Sequence, residues 1–330
     1  MSVRAPRISI ITPSYGQGAF IEETIRSVLA QDYPDFEHIV VDGGSRDQTL
    51  DILRKFPHLR WVSERDRGQA DAINKGLRMA TGEILAYLNS DDLYRPGAFR
   101  AVADFFAAHP EARIVAGGCD VIDERSRITG HLRARYGRLE DLIRYWGWDR
   151  WVCIPQPAVF WRRALTEEAG PFDASLHMTL DYDMWLRAAA RTPIHTLPET
   201  LAAFRLAAGS KTTSRTHEMY LEEFAVSRRY WSLLPRRRRA PVMLEARRHV
   251  ARKLLDSAEH YSFHDVSRSL VVSLLGRAAG YWPPLALAPR WWLTLLQALA
   301  PSGGVRGRVR WLHRAYLGFK WKLGRGTRSA

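Results

Sequence analysis

Cysteine is scarce in this 330-residue sequence, which contains only Cys119 and Cys153. Neither lies in a CxxC pair or beside histidines at the spacing of zinc ligands, so the sequence excludes a disulfide-built scaffold and a recognisable zinc site. Two isolated cysteines favour a reducing compartment. The hydrophobic (46%) and charged (25%) fractions are those of a globular protein, and the length predicts a catalytic-sized body with an appendage.

Targeting segments and uninterrupted apolar runs are also lacking. The first apolar run, Ile8–Ile11, has the length of a strand and is followed by no cleavage site, so no secretory signal is predicted. Residues 282–300 approach the length of a membrane span, but Pro283-Pro284, Pro289 and Arg290 interrupt them. We therefore expect a cytoplasmic protein in which this stretch lies on a bilayer rather than crossing it.

Acidic residues are scarce in the last third of the chain. Residues 227–330 contain 21 Lys and Arg against 4 Asp and Glu, whereas residues 1–226 contain 28 against 31. The formal net charge of +14 therefore belongs to a basic tail on a nearly neutral body. Because no recognisable nucleic-acid module accompanies the tail, we expect no nucleic-acid partner.

The basic tail predicts a second domain over residues 231–330, after a body over residues 1–230. Arg236–Arg239 open it, and it holds half of the tryptophans: Trp231, Trp282, Trp291, Trp292, Trp311 and Trp321. Arginine beside interfacial aromatics is typical of amphipathic helices on an anionic membrane surface, where each basic residue contributes about 1 kcal/mol. The alternative is a solvated helical extension that buries its tryptophans against the body or another subunit.

The body alternates short Ile/Val-rich runs with stretches of helical spacing. The predicted strands are Ile8–Ile11, Phe36–Val41, Leu59–Val62, Ile84–Leu88 and Ile114–Ala116. The predicted helices are Ala19–Ala30, Asp47–Phe56, Gln69–Met79 and Pro96–His109. This order predicts an α/β fold with a mainly parallel sheet flanked by helices, which binds ligands at the carboxyl ends of its strands.

Carboxylates follow these strands, and each has two possible interpretations. Asp42, beside Gly43 and Gly44, either caps the turn into the next helix or accepts hydrogen bonds from a nucleobase or ribose. Asp91-Asp92 is either a helix N-cap or a site where a hard cation, Mg2+ or Mn2+, offsets two repelling charges. Asp181 lies at a predicted helix N-terminus, where it is either a cap or a base that stays ionised.

No GxxxxGK[ST] loop is present, and no GxGxxG follows the first strand. P-loop NTPases and simple dinucleotide-binding folds are therefore disfavoured. Five segments in order instead resemble the motifs of family 2 glycosyltransferases with the GT-A fold, over roughly residues 7 to 230. They are Thr12-Pro13-Ser14-Tyr15, Val41-Asp42-Gly43-Gly44-Ser45, Gly68 to Gly76, Leu88-Asn89-Ser90-Asp91-Asp92 and Asp181 to Arg187.

The resemblance implies an inverting transfer from a nucleotide-diphosphate sugar, with a UDP-sugar foremost and Mn2+ or Mg2+ as the cofactor. It implies that Asp181 is the general base and that Asp92 holds the metal. The donor-binding residues that it implies are Pro13, Tyr15, Asp42, Gly68, Asp71 and Asp91.

The family pattern Phe-Arg-Leu-His has Ala207 in place of its histidine here. We expect Arg205, Ser210 or Lys211 to bind the donor phosphates instead. Residues 145–151 are rich in tryptophan and either stack on the acceptor sugar or are buried beneath a loop.

The processive members of the family carry a Gln-x-x-Arg-Trp motif, which this sequence lacks, so one sugar per acceptor is expected. The acceptor is expected to be lipid-linked or a cell-surface glycan, because the basic tail predicts an enzyme peripheral to the inner face of the cell membrane. Two alternatives stay open: a sugar nucleotidyltransferase, which is disfavoured by the absence of lysine from residues 12–18, and an inactive glycan-binding or scaffold protein on the same fold.

Overall fold

The structure is a computed structural model that describes residues 5–136, 139–144, 153–207, 215–264, 266–300 and 307–316. The chain divides into two compact units. One comprises residues 1–214 and 225–235, and the other comprises residues 215–224 and 236–330. Within the described ranges, no helix combines the length and the apolar character needed to span a bilayer.

The described residues of the first unit form nine strands. They are β1 (Ile8–Ser14), β2 (Phe36–Asp42), β3 (Arg60–Ser63), β4 (Ile84–Tyr87), β5 (Leu93–Tyr94), β6 (Ile114–Ile122), β7 (Ile128–Leu132), β8 (Val159–Arg162) and β9 (His195–Arg205). The helices that lie wholly in it are α1 (Ile21–Leu29), α2 (Thr49–Leu53), α3 (Gln69–Met79), α4 (Ala98–Ala108), α5 (Leu139–Arg144), α6 (Arg163–Ala169) and α7 (Leu180–Ala189).

The sheet runs in the order β3-β2-β1-β4-β8-β6-β9-β5, with β7 paired to β6. β3, β2, β1 and β4 are parallel neighbours, whereas β8 is antiparallel to both β4 and β6. The predicted α/β fold is confirmed, and its fully parallel part is the amino-terminal half. The carboxyl ends of those four strands therefore lie at one edge of the sheet.

β1 runs three residues beyond the predicted strand, through Pro13 to Ser14. Proline lacks the N–H that a strand shared by two neighbours needs. It is accommodated here because β4 pairs with β1 only as far as Ile11, so Pro13 lies where β2 is its one described strand neighbour.

Helical spacing of apolar residues fixes how α1 packs on the sheet. Its buried positions Ile21, Thr24, Ile25 and Val28 fall at intervals of three and four residues, on one face of the helix. Ile21 and Ile25 join a core cluster with Val40 of β2 and residues of the α2 region. The same face carries Thr24 to the strand-end edge, where its hydroxyl donates to the main-chain oxygen of Asp92 at 2.8 Å.

The opposite edge of the sheet is held by Glu37 of β2, which is buried. Ser9 Oγ, Thr81 Oγ1 and the Thr81 N–H donate to Glu37 Oε1 at 2.6–2.7 Å, and Arg60 pairs with Oε2. Burial by itself would raise the pKa of Glu37, but the hydrogen bonds from these partners outweigh it and lower the pKa to about 2. Glu37 is therefore a structural carboxylate.

The remaining helices are α8 (Thr216–Arg228), α9 (Arg236–Phe263), α10 (Arg268–Tyr281), α11 (Pro289–Leu299) and a helix over residues 307–316, here α12. α9 to α12 belong to the second unit. α9 and α10 pack through buried aliphatic residues that include Leu254 and Leu255 of α9 and Leu274 and Leu275 of α10.

Candidate active site

The polar ends of β1, β2 and β3 lie side by side. Ser14 is in register with Asp42, and Asp42 is in register with Ser63. The Gly43 N–H donates to the Ser14 carbonyl at 2.8 Å, and the Gly16 N–H donates to Ser45 Oγ at 2.7 Å. The loops after β1 and β2, which carry two of the sequence motifs, are therefore joined into one surface at the predicted edge.

Asp42 is fully buried beneath its own loop. Its Oδ2 accepts from the N–H groups of Gly44 (3.0 Å) and Ser45 (2.9 Å) and from Ser63 Oγ (2.6 Å), while Ser45 Oγ donates to Oδ1. Of the two readings, these contacts support the turn cap, which requires the positive φ of 86° at Gly44. Contact of Asp42 with a nucleobase stays a prediction.

Asp91 and Asp92 form the turn that follows β4. Asp92 is completely buried, and its carboxylate accepts from the Arg205 N–H at 2.9 Å and from Asn89 Nδ2 at 3.2 Å. Burial, together with the charge of Asp91, raises the pKa of Asp92 well above its usual range, and burial also raises the pKa of Asp91. The turn thus holds two acidic groups whose negative charge is poorly compensated, an arrangement that a bound cation would relieve.

Arg205 contacts this turn from a buried position, and its binding of donor phosphates stays a prediction. Its side chain has no exposed surface and stacks on the ring of Phe20 with 4.9 Å between Cζ and the ring centroid. Its donors go to the Asp91 carbonyl (2.8 Å), the Asp123 carbonyl (2.9 Å), Ser126 Oγ (3.0 Å) and Glu23 Oε2 (2.7 Å). Arg205 therefore positions the Asp91–Asp92 turn.

Replacing Arg205 with methionine is expected to destabilise the protein by roughly 2–4 kcal/mol, because the change leaves two carbonyl oxygens without these donors and breaks an ion pair whose arginine is fully buried. Chemical unfolding monitored by circular dichroism measures this. Arg113→Met is the matched control, since Arg113 pairs with the half-exposed Glu168 and such pairs contribute about 0–1 kcal/mol. Equal losses in the two variants would contradict the positioning role.

Asn89 connects two of the sequence motifs with Gln156 and was not among the predicted site residues. Gln69, at the start of α3, donates to Asn89 Oδ1 at 2.7 Å, and Asn89 Nδ2 reaches both Asp92 Oδ2 and Gln156 Oε1, the latter at 3.0 Å. Gln156 in turn donates to the Tyr87 carbonyl at 2.8 Å. The only sequence signal for Gln156 is a lone polar side chain between two prolines in an apolar run.

Gly68 and Asp71 lie at the start of α3, next to this network. Gly68 has a φ of 114°, which favours glycine, and its N–H donates to Asp66 Oδ1 at 2.9 Å. Asp71 accepts from the side chain and the N–H of Arg67, both at 3.2 Å, and these hydrogen bonds lower its pKa. Asp71 thus has a local partner, and its contact with a donor stays a prediction.

Asp181 lies in the first turn of α7 and is half-buried, and Oδ1 accepts from the Tyr182 N–H at 2.8 Å. The buried Tyr87 at the end of β4 links Asp181 electrostatically to the Asp91–Asp92 turn. Burial raises the pKa of Tyr87 well above its usual value, and the charges of Asp181 and Asp92 add to that increase. The charges of the candidate base and of the candidate metal ligand therefore both affect the pKa of one tyrosine.

Asp183 has a different environment from Asp181. It is buried, and its carboxylate accepts from Arg187 Nε at 2.9 Å and from Arg229 and Tyr230 at 3.3 Å. These contacts hold α7 in place and assign Asp183 a structural role.

The other predicted donor residues have mixed outcomes. Pro13 is buried in β1, and the Tyr15 side chain is 71% exposed directly after that strand, where a ligand at the edge can reach it. Ser210, Lys211 and the tryptophan-rich segment 145–151 lie outside the described residues.

The model of the family described as glycosyl transferase family 2 matches residues 9–168. The "PGL/p-HBAD biosynthesis glycosyltransferase" of Mycobacterium tuberculosis (strain ATCC 25177 / H37Ra) is 36% identical over 189 residues, which cover 56% of this chain and 70% of that protein. The chain belongs to glycosyl transferase family 2. The match contains the β1, β2 and β4 strand ends, so the edge described above lies within the matched part of this glycosyltransferase.

Solved structures share the glycosyltransferase fold at low sequence identity. S. aureus TarS, residues 1–349 in complex with UDP, gives a TM-score of 0.60 at 19% identity and covers 94% of this chain and 91% of its own. The mannosyltransferase PcManGT from Pyrobaculum calidifontis, in complex with GDP-Man and Mn2+, gives 0.54 at 20% identity with coverages of 90% and 85%. At these identities the likeness concerns the fold.

Proposed function

We propose that this glycosyltransferase moves a single sugar from a nucleotide-diphosphate donor, a UDP-sugar foremost, to a lipid-linked or cell-surface glycan acceptor, with inversion at the anomeric carbon. One observation carries the proposal: the acidic pair Asp91 and Asp92, of which Asp92 is completely buried, follows β4 at the same strand-end edge as Asp42, and the charges of Asp181 and Asp92 both raise the pKa of the buried Tyr87. A donor with a diphosphate and a cation matches that charge distribution.

The donor set at the Asp91–Asp92 turn fits a hard divalent cation. Its side chains offer carboxylate oxygens, and the neighbouring Asn89 adds an amide; these are ligand types that Mg2+ and Mn2+ prefer. Within the described residues no cluster of three or more His, Cys, Asp or Glu side chains is placed to hold a metal ion. Asp92 would hold the cation, which when bound would offset negative charge on the departing diphosphate.

The protein's own groups then account for binding and proton transfer. Asp91 is assigned to the ribose, and Tyr15 and Pro13 to the nucleoside, next to the loop that Asp42 organises. Asp181 takes the proton of the acceptor hydroxyl as that oxygen bonds to C1 of the sugar. The bond from C1 to the diphosphate oxygen breaks at the same time, and the nucleoside diphosphate leaves with the electron pair.

The position of Asp181 supports its role as the base. It lies in the first turn of α7, where the helix dipole favours the ionised carboxylate, and the Tyr182 N–H fixes one of its oxygens. A carboxylate that stays ionised at neutral pH can accept a proton in every cycle. We assign the enzyme to the cytoplasmic face of the cell membrane, where nucleotide sugars meet lipid-linked acceptors.

The donor class is tested by a thermal-shift screen against UDP-, GDP-, dTDP- and CMP-linked sugars, each with and without Mn2+. A ligand at 100 times its Kd adds about 2.7 kcal/mol, which raises Tm by roughly 5–10 °C for a domain of this size. We expect a shift with one nucleotide that requires Mn2+. If no nucleotide sugar shifts Tm under either condition, the donor assignment is wrong and the scaffold alternative gains weight.

The nucleotidyltransferase alternative is tested in the same preparation. A nucleotidyltransferase releases pyrophosphate from a nucleoside triphosphate and a sugar 1-phosphate, whereas the proposed enzyme releases a nucleoside diphosphate from its donor. We expect release of the nucleoside diphosphate and no release of pyrophosphate.

A further inference from the structure

α11 has its polar side chains inside and its apolar side chains outside. Thr294 and Gln297 are fully buried, while Trp292, Leu296 and Leu299 are 51%, 52% and 58% exposed. The three exposed residues fall at intervals of four and three, so they share one side of the helix, here called the outer face of α11. A helix packed in water shows the reverse distribution.

Buried polar contacts hold α11 in this orientation. Gln297 Nε2 donates to the Ser262 carbonyl at 3.1 Å, and its Oε1 lies 3.0 Å from Nδ1 of the fully buried His313 of α12. His313 Nε2 lies 2.6 Å from Glu259 Oε1. Rotating α11 to bury its leucines would expose or break these contacts, so the outer face stays outward.

The single charged side chain of α11 also points toward α9 rather than to the outer face. Arg290 pairs with Asp256 at 2.8 Å and with Glu259, both on α9. Beside it, Trp291 donates from Nε1 to the Leu275 carbonyl of α10 at 3.1 Å, whereas the adjoining Trp292 points outward. The outer face therefore carries no charge of its own.

From α10 onward the charged residues of the sequence have one sign. Residues 266–330 contain 11 Lys and Arg and no Asp or Glu. α12 repeats the pattern on a smaller scale, because Trp311 and Leu312 are 69% and 51% exposed and lie between the exposed Arg308 and Arg314. Exposed tryptophan and leucine flanked by arginine suit the boundary between anionic headgroups and acyl chains.

We propose that the outer face of α11, together with Trp311 and Leu312 of α12, docks on an anionic lipid bilayer with its apolar side chains at the acyl boundary and the arginines among the headgroups. This inference rests on the proposed function for its membrane partner and adds the surface that meets it. A bilayer is favoured over a second copy of the chain because this cationic region would repel its own copy.

The test is co-sedimentation of the full-length protein with vesicles of phosphatidylcholine alone or with 30% phosphatidylglycerol (on the order of physiological anionic content). We expect binding to the anionic vesicles that weakens as salt rises. The double variant Trp292→Glu with Leu296→Glu is expected to lose at least about thirtyfold in partitioning. Arg308→Gln and Arg314→Gln are each expected to lose about fivefold.

Leu29→Glu is the matched control, because Leu29 is a similarly exposed leucine on α1 of the first unit. It is expected to bind vesicles as the wild type does. Hydrogen exchange of the unmodified protein gives a readout without any substitution: vesicles should protect α11 and leave α1 unchanged.

Equal binding by the double variant and the wild type would overturn the proposal, as would absence of wild-type binding to either vesicle. A wild-type dimer in light scattering that the double variant converts to a monomer would assign the face to a second copy instead. Vesicle binding needs no nucleotide sugar, and the double variant should keep the Mn2+-dependent donor shift. Failure of the docking proposal and failure of the donor assignment are therefore distinguishable.

Discussion

The Asp92→Asn variant is expected to lose the effect of Mn2+ on donor binding and to fall at least about a thousandfold in kcat/KM. Asparagine can still accept the Arg205 N–H at Oδ1 but loses the hydrogen bond from Asn89 Nδ2 to Oδ2, so the turn after β4 keeps its contact with β9. What is removed is the completely buried carboxylate of an acidic pair. A cation that neutralises a leaving diphosphate contributes several kcal/mol to the transition state, and about 4 kcal/mol corresponds to this factor.

The measurement is a titration of donor binding by calorimetry with and without Mn2+, followed by initial rates of nucleoside diphosphate release. Glu37→Gln is the control, since it also replaces a buried carboxylate of the same sheet but at the opposite edge. We expect Glu37→Gln to lower stability, because the pKa of Glu37 is about 2 and its ionised form is bound by four donors. Its Mn2+ effect should match that of the wild type.

The pH dependence of this control also has a defined sign. A carboxyl whose pKa is lower in the folded protein contributes stability above its ordinary pKa and loses that contribution as pH falls through the folded value. The stability difference between the wild type and Glu37→Gln should therefore be constant near neutral pH and shrink between about pH 4.5 and pH 2.

A Mn2+ effect of wild-type size in Asp92→Asn would show that Asp92 does not hold the metal.

The strand-end edge was predictable from the sequence because each of its parts is local. Short Ile and Val runs predict strands, helical spacing predicts the intervening helices, and the polar residue that ends each run, such as Asp42 or Asp92, must then lie at the carboxyl edge. The roles of these carboxylates came from the resemblance to the family, since a turn cap and a ligand contact have the same local pattern.

The role of Arg205 was not predictable, because it is set by contacts far apart in the chain. Its partners Asp91, Asp123 and Glu23 are 114, 82 and 182 residues away. The sequence shows an arginine near the end of a strand in a pattern associated with phosphate binding. Only the fold shows that the side chain is buried, with one donor on the Asp91 carbonyl and the others on Asp123, Ser126 and Glu23.

The helices of the second unit show a related difficulty. The spacing of Trp292, Leu296 and Leu299 predicts that they share one side of a helix, and the ordinary inference is that this side is buried. Pairing of Gln297 with His313 and Ser262 decides the opposite orientation. Such hydrogen bonds between α9, α11 and α12 cannot be inferred from the spacing of apolar residues within any one helix.

The Asp181→Asn variant is expected to bind the donor and Mn2+ as tightly as the wild type and to fall by about 10²–10⁴ in kcat. The amide of asparagine cannot take the proton of the acceptor hydroxyl, and loss of a general base has an effect of this size. The Tyr182 N–H can still donate to the amide oxygen, so the start of α7 should keep its geometry. Single-turnover rates with saturating donor measure the loss directly.

Asp183→Asn is the matched control, because it makes the same change two residues later on the same helix. Asp183 is held by Arg187, Arg229 and Tyr230, so this variant should lose stability while its folded fraction keeps a kcat close to that of the wild type. Asp181→Glu should recover part of the lost rate, since it restores a carboxylate on a longer side chain.

If Asp181→Asn turned over at the wild-type rate, proton removal would have to be assigned to another group near Tyr87. Loss of donor binding in Asp181→Asn would instead make Asp181 part of the donor pocket, because a base that acts only on the acceptor contributes nothing to binding the nucleotide.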